Sequence, residues 1–369
     1  REVDGAYRVA LTGPGDATPI SQLPREAPLP PVVPYAYRSL DRHCLIADGR
    51  LISRPRPDLW RAHGERQVYL GTVFTQPLGR GPAAMACADI PDLHFFSGRG
   101  AKDIVPLYRD AKGTEPNILP GLPALLAAEY GCEVAPEDLL AYLYGILAHP
   151  GFTQQYASEL GTRQLRVPIT RDRGLFTKVR DAGARLLWLH TYGQRLIPEG
   201  RRHGEIPQGK ARCTVAVPEA PGSYPDRYEY NPSTQTLHVG EGQFAPVARE
   251  VYEFDVSELK VVQSWLKYRT KGPNGQRVTG ADAGAQARKR RSPLDDIGPG
   301  AWTSEFTTQL LELLWVLEAT LEGYPDQAQL LSAVVEGPCF EAADLPAVPA
   351  AARVARPRDG GLFDAAEAG

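Results

Sequence analysis

VYEFDVSELKVVQSWLKYRTKGPNGQRVTGADAGAQARKRRSPLDDI, residues 251–297, is the stretch on which the reading of this chain turns. Its apolar start predicts a short strand over 251–256. Ser257 is a favourable N-cap, so a helix is expected to follow. On that helix Leu259, Val262 and Leu266 share one side, flanked by Val261 and Trp265. Lys260, Ser264, Lys267 and Lys271 line the opposite side. An Asn-Gly loop comes next, and then the run Arg288-Lys289-Arg290-Arg291. Between 259 and 291 there are nine Lys or Arg, including Arg269 and Arg277, against the single acid Asp282. The whole chain carries a net charge of −3. One concentrated basic stretch in a slightly acidic chain fits a polyanion-binding face. Charge alone fits a solvated helix face and loop equally well.

Working outward, 369 residues can bury a large core or two medium ones, and 43% hydrophobic residues make the chain globular rather than disordered. No apolar run approaches 18 residues, so no membrane span is expected. No signal peptide is visible. The five cysteines (Cys44, Cys87, Cys132, Cys213, Cys339) are odd in number and never form a CxxC pair, which fits reduced thiols. Met85 is the only methionine, and a start at Arg1 suggests part of something longer.

Residues 1–34 are Pro- and Gly-rich and are expected to be a linker or arm, with a strand over 7–11 the one candidate element. Residues 35–200 are expected to form a β-rich and then helical lobe. Asp48-Gly49 predicts a hairpin between strands over 43–47 and 50–53. Further strands are expected over 68–75 and 104–108. Pro136 suits the first turn of a helix with Leu139, Leu140, Leu143, Ile146 and Leu147 inside, stopped by Pro150. Phe152, Tyr156 and Leu160 repeat at helical spacing. Another helix carries Leu175, Phe176, Val179, Leu186 and Leu187. Residues 201–336 are expected to form a second β and helical lobe containing the basic stretch. Its strands are predicted over 212–217, 228–230, 236–239 and 251–255, with a turn at Asn231-Pro232-Ser233. A last helix, capped by Thr303 or Ser304, buries Phe306, Leu310, Leu313, Leu314 and Leu317. Residues 337–369 form an Ala/Pro-rich tail. The fold class expected is α+β, a mixed β-sheet lobe with a helical lobe.

The motifs that carry common chemistries are missing from the sequence. There is no G-x-x-x-x-G-K-[ST], no G-x-G-x-x-G, no H-E-x-x-H and no G-x-S-x-G. The seven histidines show no metal spacing. Asp92-Leu93-His94 is a lone acid–His pair and is expected to be a surface or capping contact. Asn231-Pro232-Ser233-Thr234 is not the Asn-Pro-Pro-aromatic loop with which amino-methyltransferases hold a flipped base. No catalytic residue is nominated.

Several strings, in order, resemble one family. Tyr37-Arg38-Ser39-Leu40-Asp41-Arg42 is similar to the Y-R-P-F-D-x-R segment that opens the C-terminal specificity domains of certain bacterial DNA adenine methyltransferases, with Ser39 where the family has Pro. Residues 51–56 look like its following hairpin strand. Residues 137–150 resemble its helix running into a His-Pro stop. Residues 152–160 and Arg166-Val167-Pro168-Ile169 resemble its Y…Y…L…R-I-P continuation. Residues 251–254 with Trp265-Leu266-Lys267-Tyr268-Arg269 resemble its V-W-x-F…V-x-x-W-L-K-x-R, and residues 290–297 are also family-like. The resemblance covers about residues 35–335. It is to the specificity domain of type I single-polypeptide (type ISP) restriction–modification enzymes.

That resemblance implies a fold of the DNA-methyltransferase target-recognition type. It also implies sequence-specific recognition of double-stranded DNA inside a bacterial, cytoplasmic phage-defence enzyme. S-adenosylmethionine would belong to the parent enzyme and not to this chain. Methyltransferase, helicase or nuclease parts of the same or an associated polypeptide would be its neighbours. Lys260, Lys267 and Lys271 suit phosphate contacts, because Lys acts as a point charge. Arg presents a planar fork that matches guanine, which nominates Arg38, Arg42, Arg54, Arg56, Arg163, Arg288, Arg290 and Arg291, with Lys289 a DNA-contact candidate within that last run and Arg269 beside the Lys row. Gln154 and Gln155 suit adenine or a helix surface. Arg38 and Asp41 are also expected to pair with each other. Trp60 and Tyr69 are expected in the core rather than against bases. The other readings are a protein-docking domain of a defence complex without DNA contact, and an enzyme of unrecognised type.

Overall fold

The structure is a computed structural model that describes residues 11, 18–52, 55–72, 81–96, 103–161, 165–220, 222–270 and 300–350. The strand expected over 7–11 lies outside them except for Leu11.

β1 (Val32–Arg38) and β2 (Asp41–Ile46) form an antiparallel hairpin. Its turn lies at Ser39 and Leu40, with Leu40 in the left-handed region at φ 59°. The expected hairpin at Asp48-Gly49 does not form. The Asp48 carboxylate accepts from the Arg50 backbone N–H (2.8 Å) and holds the Arg50 guanidinium, which makes a local turn. β2 therefore finds its partner upstream rather than downstream. α1 (Pro57–Arg61) follows.

A three-stranded antiparallel sheet has β3 (Tyr69–Thr72) between β4 (Ala84–Cys87) and β5 (Asp103–Pro106). β3 and β4 are buried along their whole length. The helical lobe then runs through α2 (Leu122–Tyr130), α3 (Pro136–Leu147), α4 (Pro150–Gln155), α5 (Ala157–Gly161) and α6 (Arg173–His190). Asp172 caps α6 by accepting from Leu175 N (2.9 Å). α3 and α6 cross almost in backbone contact. A Cβ on Gly183 would sit 1.8 Å from the Ala141 carbonyl oxygen, and one on Gly145 would sit 2.5 Å from that of Val179. Only glycine permits that approach.

A second antiparallel sheet holds β6 (Arg212–Val215), β7 (Tyr228–Asn231), β8 (Thr236–Val239) and β9 (Gly242–Ala245) in the order β6-β9-β8-β7. The predicted turn at Asn231 is present. Its Oδ1 accepts from Ser233 N (3.0 Å) and Thr234 N (3.3 Å).

The opening stretch departs from its expected form. Arg249–Tyr252 is a helical turn, α7, rather than strand. β10 (Asp255–Val256) and β11 (Leu259–Lys260) make a minimal hairpin whose turn residues, Ser257 (φ 48°) and Glu258 (φ 68°), are left-handed. Ser257 is thus a hairpin-turn residue and not an N-cap; α8 (Val261–Lys267) starts after Lys260. The physical reason is burial. The tight turn sends both Val256 and Leu259 into the core.

α9 (Ser304–Glu336) is capped by Thr303, whose hydroxyl accepts from Phe306 N (3.2 Å). At 33 residues it is about 50 Å long. Leu310, Leu313, Leu314 and Leu317 pack in a core with Tyr69, Phe95, Leu237, Phe244, Trp265 and Trp302. Leu331 and Val334 pack in the helical core with Tyr142, Ile146, Phe152 and Phe176. α9 is therefore the spine joining an antiparallel β lobe to a helical lobe, an α+β architecture. Between the cores, buried His190 links three elements. The Tyr144 hydroxyl donates to its Nδ1 (2.5 Å), and its Nε2 donates to Thr320 Oγ1 (2.9 Å). Burial pushes its pKa down to about 3, so it is neutral.

Candidate nucleic-acid interface

The described part of the basic stretch ends at Arg269 and Thr270, both buried. The Arg269 guanidinium pairs with Asp41 (2.7 Å), donates to the Arg42 carbonyl (3.2 Å) and lies 3.9 Å over the Trp265 ring. Trp265, Trp302 and Phe306 meet edge to face, the last two with ring centroids 5.4 Å apart. The two ends of the interval 271–299 are thus held by one aromatic cluster. Asp41 is fully buried, which opposes ionisation. Arg269 and His43 outweigh that and hold its pKa below the usual carboxylate range.

Of the nominated residues, Arg54, Arg163, Lys271, Arg288, Lys289, Arg290 and Arg291 lie outside the described residues, as does Arg277. The remaining arginines are engaged within the fold. Arg38 donates to the carbonyls of Phe96 (3.0 Å) and His94 and to the Tyr268 hydroxyl (3.0 Å). It does not pair with Asp41, which Arg269 takes instead. Arg42 lies 3.7 Å over the Tyr192 ring and pairs with Glu312. Arg56 donates to the Pro91 carbonyl beside Tyr35 and Asp92. The lysines do not share one helix side. Lys260 precedes α8 and bonds to the Glu253 carbonyl (3.2 Å) and Asp255 (3.4 Å). Lys267 ends α8, is exposed, and makes no ion pair with any described residue. Leu259, Val262, Trp265, Leu266 and Tyr69 are buried, Trp60 is half-buried, and Gln154 and Gln155 are exposed.

A second exposed cationic element was not nominated from the sequence. Residues 193–211 leave α6 just after Tyr192, the residue stacked under Arg42. Arg195 anchors the departure by donating to the Gln67 carbonyl (2.8 Å) and the Gly64 carbonyl (3.3 Å). The neck is closed by Gly193 N to Trp188 O and Gly204 N to Gly193 O, both 2.8 Å. A Cβ on Gly193 would sit 2.5 Å from the Glu205 oxygen, and its φ is +73°. The return is fastened to α9 by the Glu318 carboxylate, which accepts from Lys210 N and Ala211 N. The hairpin turn of β1 and β2 therefore contacts the residue that precedes this loop, through Arg42 and Tyr192, and the root of the basic stretch, through Asp41 and Arg269. The sequence signal was the three glycines 193, 200 and 204 bracketing Arg201-Arg202-His203.

A cavity of about 410 Å³ lies beside β1, walled by Tyr35, Leu45, Leu51, Trp60 and Leu93. Its polar groups bond one another. Asp92 accepts from the Tyr35 hydroxyl (3.0 Å) and from the backbone and ring nitrogens of His94 (2.8 and 2.9 Å). Asp92 and His94 are thus the capping contact expected. Among the described residues no group of three or more His, Cys, Asp or Glu is placed to hold a metal ion. No described helix is long and apolar enough to cross a membrane.

An α+β fold of antiparallel sheets on a helical lobe recurs as one part of large restriction–modification enzymes. It matches the nuclease-deletion mutant of the Type ISP restriction-modification enzyme LlaGI in complex with a DNA substrate mimic (TM-score 0.52, 14% identity, 84% of this chain, 25% of that one). It also matches the DrdV–DNA complex (0.56, 15%, 82% and 28%) and the ATP-dependent Type ISP enzyme LlaBIII bound to DNA (0.54, 12%, 84% and 18%). At these identities the likeness is one of fold, and the chain spans between about a fifth and somewhat over a quarter of those polypeptides. The family profile of the Type ISP C-terminal specificity domain matches residues 16–313, and the chain belongs to that family. No curated protein matches it.

Proposed function

We propose that the chain recognises a specific sequence of double-stranded DNA as the specificity domain of a restriction–modification enzyme. Family membership supports this, as do solved relatives of the same fold that are bound to DNA. The observation that carries it is the placement of the cationic residues. The basic stretch continues in sequence from the buried Arg269 beside Trp265, with exposed Lys267 at its foot. Loop 193–211, exposed over 197–204, begins after Tyr192, which contacts the same hairpin turn. Lys267, Lys271 and Arg288 to Arg291 supply phosphate contacts, which position without reading sequence. Arg38, Arg42, Arg56 and Arg269 hold the face together. S-adenosylmethionine is bound by a methyltransferase part of the parent enzyme, and no residue here is assigned to it.

Binding of a labelled duplex across a salt series tests this reading. The logarithm of affinity should fall linearly with the logarithm of salt, by about 0.9 per phosphate neutralised. Absence of binding at low salt rejects it.

One observation favours a docking contact as well. Leu29 (92% exposed), Val32 (66%), Ile46 (44%) and Leu51 (38%) flank the open end of the β1–β2 hairpin. An apolar strip of this kind suits a neighbouring domain.

A further inference from the structure

The loop over 193–211 is rigid at its neck and free at its tip. Residues 197–204 are all exposed. A Cβ added to Gly200 or Gly204 would meet nothing within 4 Å, so the tip stands clear of the fold. Both glycines are left-handed, at φ +78° and +76°, which sets the turn of the tip. Glu205 braces it from inside. Its carboxylate pairs with Arg201 (2.7 Å) and accepts from the Arg202 backbone N–H (3.0 Å). Arg201 is steadied further by the Trp188 ring, 5.9 Å away. Arg202 is left outermost. Its side chain is 91% exposed, and its Nε is 3.6 Å from Glu205.

A held backbone presenting a planar donor that is 91% exposed and paired with the Glu205 of its own loop suits direct base readout. The major groove is wide enough for such an element, and the Arg fork matches O6 and N7 of guanine. A phosphate contact would need only charge. The four described arginines nominated from the sequence are engaged within the fold, whereas Arg202 presents its side chain to solvent. We propose that loop 193–211 enters the DNA groove and that Arg202 reads a guanine there, with Arg201 and Glu205 as its positioning residues. This rests on the reading of the chain as a DNA-recognition domain.

Selection from a random-sequence duplex pool with the 369-residue chain tests it, with Arg202→Ala and Arg202→Lys compared against wild type. Wild type should enrich a motif containing a guanine column. Arg202→Ala should lose preference at that column alone, by about 5- to 150-fold, and keep its other columns. Arg202→Lys should keep affinity for random duplex but not restore the column, since it retains charge without the fork. An unaltered motif in Arg202→Ala, or an equal loss across all columns and on random duplex, overturns the assignment. Melting temperatures equal to wild type establish that the variants fold. If wild type itself enriches no motif, the recognition reading fails and the loop assignment falls with it.

Discussion

Arg269 and Arg202 are the same residue type in two opposite situations. Arg269 has a side chain 4% exposed, and its charge is answered by an aspartate 228 residues upstream. Arg202 is 91% exposed and has no closer acid than its own loop's Glu205. In sequence, Arg269 sits in the basic stretch and looks the better ligand for DNA, while Arg202 sits in an ordinary Gly-rich loop. The fold reverses this order. A cation is available to a partner only if no distant acid or ring reaches it first, and local charge density does not report that.

Breaking the buried member should have the largest effect. Arg269→Ala leaves Asp41 ionised in the core and should cost about 3–5 kcal/mol in denaturant unfolding. Adding Asp41→Asn should recover part of that loss, because the uncompensated charge is gone. The pH dependence sharpens this. Asp41's folded pKa is lowered, so its contribution is present above the unfolded value of about 3.9 and is lost as pH falls through the folded one. In Arg269→Ala only His43 is left to oppose burial, and that pKa rises. The deficit of the variant should therefore shrink as pH falls.

His190 supplies a second pH effect. Its folded pKa of about 3 lies below the unfolded value of about 6.5, so the unfolded chain binds the extra proton. Stability is full above about 6.5 and falls between there and about 3. Melting curves of His190→Gln should show a shallower decline over that window. Thr303→Ala removes the cap of the spine helix and should cost about 1 kcal/mol in the same unfolding experiment. The exposed side of the comparison gives the smallest change. Lys267→Ala should leave the melting temperature unchanged and lower the salt slope of DNA binding by about one.

What the sequence disclosed followed from local pattern. Pro136 and the Leu repeat placed α3, the apolar side of 175–187 placed α6, and Thr303 was named as a cap. The α+β class and the family strings were legible for the same reason. β4 was not seen because Ala84-Met85-Ala86-Cys87 is buried on both faces and does not alternate. The β10–β11 hairpin was hidden by two non-glycine residues in left-handed backbone, Ser257 and Glu258. That turn moved Lys260 off the helix and dissolved the lysine row. The pairing of Asp41 with Arg269 and the stack of Arg42 on Tyr192 are long-range contacts that no window of sequence contains. Loop 193–211 owes its order to backbone hydrogen bonds and glycine geometry, which leave little trace in side-chain pattern.

Equilibrium binding of a labelled duplex across a salt series, for wild type and Lys267→Ala together, tests the central claim most directly. DNA recognition through this face predicts a steep linear salt dependence for wild type and a slope shallower by about one in the variant. Binding that is absent at low salt, or whose slope Lys267→Ala leaves unaltered, would contradict it.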